Sequence, residues 1–355
     1  MRRRHFLTLA LGVAFARAEA EVRYPDVVAG AALAFPRDEG AHPAFRTEWW
    51  YVTGSLRDAR QREYGFQLTF FRSRPGVAEA SASAFAPRQL LFAHAALANP
   101  AQGRLAVDER AARAGFGLAY ANEGRTDVAI DGASLVDRHG TYAAHLTARD
   151  FAFDLALTKT QPALLEGDAG FSRKSPAPLD ASYYYSLPQL RAQGVLRHDG
   201  RSDDVSGVAW LDHEWSSRLL MSGAVGWDWT GINFDDGAAL MAFRIRDAEG
   251  RAMWASATYR DRDGRTTTYA PQQVSFVAQS HWRSPRTGTD YPVAFAIRAG
   301  DIAVELDPLM LDQELDARAA IGVVYWEGAV RARIGGRAVG RGYLELTGYG
   351  KPLRI

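Results

Sequence analysis

Two short segments concentrate the side chains best able to move protons. Leu211-Asp212-His213-Glu214-Trp215 and Gly226-Trp227-Asp228-Trp229-Thr230-Gly231 place three carboxylates, one imidazole and three indoles close together in the chain. A carboxylic acid in a dry site keeps its proton to higher pH, and indole faces stabilise a developing cation. Acid–base chemistry on an apolar substrate is therefore the first expectation. Its candidate catalytic residues are Asp212, His213, Glu214 and Asp228, with Trp215, Trp227 and Trp229 as candidate substrate walls.

Val205 to Trp215 reads as a strand, so its side chains must alternate between two faces. Trp210, Asp212 and Glu214 share one face; Leu211, His213 and Trp215 share the other. Acids two residues apart on a strand sit roughly 7 Å apart at about 3.3 Å rise per residue. In a dry cavity, desolvation and mutual repulsion would raise one of them. If the opposite face turns inward, His213 and Trp215 become the working groups, and the sequence leaves that choice open.

Similar themes recur. In Glu48-Trp49-Trp50-Tyr51, Glu48 and Trp50 point one way, Trp49 and Tyr51 the other, and Arg46 is a same-face partner for Glu48. Ser182-Tyr183-Tyr184-Tyr185-Ser186 aims Tyr184 opposite to Tyr183 and Tyr185. Glu48, Trp50, Tyr51, Tyr183 and Tyr185 join the candidate substrate-binding set. Tyr325-Trp326-Glu327 and Tyr343-Leu344-Glu345 repeat the aromatic-plus-acid pattern more weakly. His94 sits in an apolar run and reads as a core histidine. No histidine pair has local metal-ligand spacing, so any metal site would need residues from separate strands.

The elements that position these residues are short β-like runs. Examples are Trp49 to Leu56, Tyr64 to Arg72, Phe151 to Leu157, Ala238 to Arg246 and Gly342 to Leu346, punctuated by Asp131-Gly132, Asp199-Gly200, Asp236-Gly237 and Asp263-Gly264. This spacing predicts an all-β protein of antiparallel sandwich or barrel type. Short helices are expected only near Ala80 to Leu91 and Leu315 to Ala320. An internal echo implies two similar domains: Trp50 and Trp227 each begin W-x-x-T-G, and each is followed by L-x-x-F-R, at Leu68 to Arg72 and Leu240 to Arg244. The Gly- and Asp-rich stretch from Arg191 to Asp204 suggests a boundary, giving domains 21–195 and 196–355.

Composition excludes several classes. Net charge is +1 with no basic block, which removes the electrostatic case for nucleic acid. Cysteine is absent, so disulfides and thiolate chemistry are out. No nucleophile elbow, P-loop or dinucleotide fingerprint is present, and no cofactor is implied. Residues 1–20, with Arg3-Arg4 before an apolar run and small-x-small sites at Ala16 to Ala20, read as a twin-arginine-like export signal, predicting a periplasmic or secreted protein.

Glu48-Trp49-Trp50-Tyr51, Tyr183 to Pro188, Asp212-His213-Glu214-Trp215 and Trp227-Asp228-Trp229 together resemble the carotenoid 1,2-hydratase-like family, which includes AttH-like predicted secreted hydrolases. The resemblance spans nearly the whole mature chain. It implies two lipocalin-like β-barrel domains packed together and cofactor-free addition of water to an isoprenoid double bond. It places the hydratase D-H-x-W pattern on Asp212, His213 and Trp215, the W-x-W element on Trp227 and Trp229, and a further acid on Asp228 or Asp235. The expected activity is hydration of a hydrophobic substrate, with Asp212, or His213 held by Asp212, as acid and Glu214 or Asp228 as base. Alternatives are a carrier of an apolar ligand or a hydrolase of lipid-like esters. The expected partner is an apolar small molecule or lipid, which is compatible with peripheral membrane contact.

Overall fold

A computed structural model describes residues 22–218, 220–318 and 322–353. The export segment therefore lies outside the described residues. Within them the regular structure is β-strand, with two single-turn 3₁₀ segments at Arg37–Glu39 and Pro271–Gln273. Of the two expected helices, the first is irregular chain running into the strand Leu90–Ala98, and the second begins in the strand Glu314–Ala317. Neither has a helical apolar stripe long enough to override the sheet.

Two antiparallel sheets form, with 13 and 10 strands. In the first, the opening strand Thr47–Asp58 lies between Glu63–Ser73 and the closing strand Arg201–Ser216. Meanders on either side curl the sheet until its ends meet, where the Arg110 guanidinium on one edge reaches the carbonyl of Ile130 near the other, at 3.5 Å. The second sheet repeats the plan: Gly226–Phe234 opens it, between Ala239–Arg246 and the closing strand Arg337–Leu346. There the Arg244 guanidinium reaches the Phe276 carbonyl across the closure at 3.1 Å. Each is a lipocalin-like barrel.

The internal echo thus reports a repeated architecture. The W-x-x-T-G half does not match by face, because Trp50 points into the first barrel whereas its counterpart Trp227 packs against the layer between the two barrels; the L-x-x-F-R half does match, with Leu68 and Leu240 each inside its own barrel. The expected boundary also moves. Residues 195 and 196 fall inside the hairpin Ala181–His198/Arg201–Ser216, both of whose strands belong to the first sheet. The passage between sheets comes later, between Ser216 and Gly226. The Gly- and Asp-rich signal there was a tight turn, with Asp199 and Gly200 both at positive φ.

Four apolar clusters result among the described residues, the smallest joining Ala96, Ala98 and Leu105 to Met310, Leu315 and Tyr325. One fills each barrel, and a third, with Tyr51, Tyr184, Trp210, Trp229, Met241, Phe243 and Tyr343, lies where the barrels pack. Close approach in that layer depends on Gly231: a Cβ there would lie 2.9 Å from the rings of Trp210 and Trp229.

Candidate functional site

Strand alternation sorts the candidates into two buried sites, back to back on the same strands. Into the first barrel point Glu48, Trp50, Tyr183, Tyr185, His213 and Trp215. Between the barrels lie Tyr51, Tyr184, Trp210, Asp212, Glu214 and Trp229, with Trp227 half-buried at the rim. Asp212 and His213 are sequence neighbours facing opposite ways, so Asp212 does not hold His213.

His213 is held instead by Glu48. The Nε2 of His213 lies 2.9 Å from Glu48 Oε1, and its Nδ1 lies 3.1 Å from the Tyr185 hydroxyl. Trp50 stacks on the ring at 4.6 Å. His42 Nδ1 approaches the same Glu48 oxygen at 2.8 Å, and the His42 ring stacks on Trp215 at 3.8 Å. Arg72 donates from Nε to Glu48 Oε2 at 2.7 Å, in place of the expected Arg46. Burial alone would raise Glu48, but hydrogen bonds from His213 and His42 and the charge of Arg72 outweigh it and hold the carboxyl well below its ordinary range. Burial pushes His213 down, so the imidazole is neutral. His42, Glu48 and His213 are also the described residues whose side chains could share a metal ion.

The layer between the barrels has the opposite electrostatics. Asp212 accepts from the Tyr184 hydroxyl, the Ser186 hydroxyl and the Trp210 indole, each at 2.6 Å. Ser186 Oγ also lies 2.8 Å from Glu166 Oε1. One hydroxyl hydrogen cannot serve two carboxylates, so a further proton must complete this contact. Asp212 already has three donors and Glu166 Oε2 has none, so the proton belongs on Glu166, which donates to Ser186, which donates to Asp212. Burial drives both acids upward, Glu166 to about 8 and Asp212 to about 7. The hydroxyls and indole around Asp212 oppose that rise.

Glu214, on the same face, pairs with Lys174 at 2.7 Å and accepts from Ser182. Deeper in the layer, Glu327 and Glu345 face each other across the closing hairpin of the second barrel. Burial raises both, Glu345 to about 8, and the charge of Glu345 adds to the rise of Glu327. The layer therefore stores protons on carboxyls surrounded by aromatic rings. At its rim lie the half-buried Trp49, Met221, Trp227 and Trp254.

Asp228 belongs to neither site. It points into the second barrel and is clamped by Arg244 at 2.6 Å and Arg246 at 2.9 Å, with the Tyr349 hydroxyl at 3.0 Å. This acid–arginine pair across an opening hairpin matches Glu48 and Arg72 in the first barrel. It is an architectural pair, and Asp235 lies at a strand end beside Arg341. His94 is a buried core histidine against Tyr325. Sequence reasoning missed His42, Arg72, Glu166, Ser186 and Lys174. Ser186 shares its strand face with Tyr184 and could have been found by alternation; Glu166 and His42 sit in irregular or very short segments, where no periodicity marks them.

Comparison with known proteins agrees with this architecture. A family model described as AttH-like matches residues 26–349. No curated protein matches the chain. An AttH protein from Nitrosomonas europaea is 49% identical over 92% of this chain and all of its own, with a TM-score of 0.87. Kievitone hydratase from Nectria haematococca is 14% identical, covering 93% of this chain and 97% of its own, at a TM-score of 0.70. CghA is 13% identical, covering 95% and 98%, at 0.55. The last two share the fold. With the family match spanning both barrels and the Nitrosomonas protein so similar throughout, this chain belongs to the AttH-like family.

Proposed function

We propose that the protein is an exported hydratase that adds water to a double bond of an apolar substrate in the layer between its barrels. The observation carrying this reading is the Glu166–Ser186–Asp212 contact, which requires an extra proton and holds it among aromatic rings at neutral pH. Asp212, resupplied by Glu166 through Ser186, gives a proton to one alkene carbon, leaving a tertiary cation on the other. Trp210 and Trp229, an edge-to-face pair with ring centroids 6.4 Å apart, line the layer with indole surface; a cation brought onto a desolvated indole face gains about 2 kcal/mol. Water then bonds to the cationic carbon and its surplus proton returns to the Asp212 carboxylate. A cavity of about 10 Å³ lined by Thr53, Trp210, Gly231 and Tyr343 is the size of one water.

This reading replaces Trp215 by Trp210 as a cation-facing wall and retains Trp229. His213, Glu48, Trp50, Tyr183 and Tyr185 belong to the separate chamber behind the strand. The named hydratase with the same fold supports the reaction class, and the N-terminal segment supports export to the periplasm. The test is incubation of the protein with a whole-cell lipid extract, followed by mass spectrometry. A compound that gains one water with wild type and not with Asp212→Asn supports hydration. No such product with wild type refutes it.

A carrier reading has its own observation. A pocket of about 320 Å³ is lined mainly by Val27, Val28, Phe171, Pro178 and Leu179, with Arg173 at its edge. The same unchanged ligand bound by wild type and Asp212→Asn would favour it.

A further inference from the structure

We infer that His42, Glu48 and His213 form a binding site for a divalent transition-metal ion of the zinc or cobalt class, inside the first barrel and separate from the proton-storing layer. The three ligand atoms, His42 Nδ1, Glu48 Oε1 and His213 Nε2, all lie within 4.8 Å of one another. The two nitrogens approach the shared oxygen at 2.8 and 2.9 Å. Zinc bonds of about 2.0–2.2 Å in tetrahedral geometry need ligand atoms about 3.4 Å apart. A shift of a few tenths of an ångström at each ligand would admit the ion.

What separates this cluster from a simple hydrogen-bond triad is the shell behind it. Metal-binding histidines usually donate their other ring N–H to a carboxylate, carbonyl or hydroxyl, which fixes the ring. His42 Nε2 lies 3.5 Å from buried Asp38 Oδ1, and Arg37 in turn grips Asp38 at 2.7 Å. His213 Nδ1 faces the Tyr185 hydroxyl at 3.1 Å, and Glu48 Oε2 is fixed by Arg72. Each of the three ligands therefore has an outer partner.

With both imidazoles neutral, admitting the ion needs only a tautomer exchange in each ring. Without metal, His42 donates from Nδ1 and His213 from Nε2 to Glu48. With metal, each proton moves to the opposite ring nitrogen. His42 then donates to Asp38, and His213 donates to Tyr185, whose hydroxyl rotates from donor to acceptor. His42 is partly exposed while Glu48 and His213 are fully buried, so an ion enters past His42. Two imidazoles and one carboxylate, with no thiolate in the chain, suit zinc, cobalt or nickel better than calcium or magnesium. The positive charge of Arg72 lowers the affinity below that of an uncompensated carboxylate.

The test is titration of the chelator-treated full chain with cobalt(II), read by visible absorption and equilibrium dialysis, with zinc as competitor. The expected result is one zinc-displaceable equivalent in wild type that is missing in His42→Ala, and a roughly tenfold weaker equivalent in Asp38→Asn. Both substitutions lie outside the regular strands, and circular dichroism and thermal unfolding establish that each variant is folded before its metal binding is read. Subtracting His42→Ala removes binding at surface pairs such as His145–Asp154 and His281–Asp290. Equal stoichiometry and affinity in wild type and His42→Ala would overturn the proposal, as would the absence of saturable binding in wild type. Hydration activity plays no part in this readout, so the two proposals fail independently.

Discussion

Replacing Glu166 by Gln tests whether the layer between the barrels stores a proton. Gln is the neutral isostere of a protonated glutamic acid, and its amide can donate to Ser186 as the acid does. Burial raises Glu166 from 4.5 to about 8. At ~1.36 kcal/mol per pH unit, that displacement is worth about 5 kcal/mol. Because the folded protein holds this proton more tightly than the unfolded chain, the stabilisation is complete below about pH 4.5 and is lost as pH rises to about 8. Wild type should therefore lose stability between pH 5 and 9, and Glu166→Gln should lose less. At pH 5 the two should agree within about 1 kcal/mol. At pH 9 the variant should be more stable by about 2–5 kcal/mol. Urea unfolding followed by tryptophan fluorescence at pH 5, 7 and 9 measures this. Parallel curves at all three values, or a variant weaker throughout, would show that Glu166 is ionised when folded and would remove the relay.

Three further outcomes are expected. Trp210→Phe deletes one donor to Asp212, so the Asp212 acid should persist to higher pH; the alkaline limb of the hydration rate should move upward, and an unmoved limb would separate Asp212 from the acid. Arg72→Ala leaves Glu48 buried without its counter-charge and should cost about 3–5 kcal/mol in urea unfolding at pH 7. Glu48 is held low in the fold, so its stabilisation is present above about pH 4.5 and lost as pH falls below; a loss under ~1 kcal/mol at pH 7 would refute the pairing's importance. Gly231→Ala should destabilise by about 1–3 kcal/mol through crowding of Trp210 and Trp229, measured by thermal unfolding; unchanged stability would mean that the barrels separate easily.

Period-two alternation is a local property of extended chain, so much of the geometry was legible early. It correctly put Asp212 and Glu214 on one face and His213 and Trp215 on the other, and set Tyr184 against its neighbours. It could not say what either face would meet. The partner of His213 is Glu48, and the partner of Asp212 is Ser186 with Glu166 behind it. Those pairings depend on which strands neighbour one another and on where loops return. Asp228 shows the opposite failure: it stood beside two tryptophans in sequence, yet its face turned it toward two arginines.

The sequence by itself determined the all-β character, the turns, the repeated opening hairpin and the two-faced strands, because each follows from the chemistry of a few adjacent residues. Only the tertiary structure decided that one face of the Trp210–Trp215 strand would pack against a second barrel and the other close around Glu48. Burial, and with it the protonation of Asp212 and Glu166, is created by what packs on a face; alternation can name the face and cannot supply its neighbour.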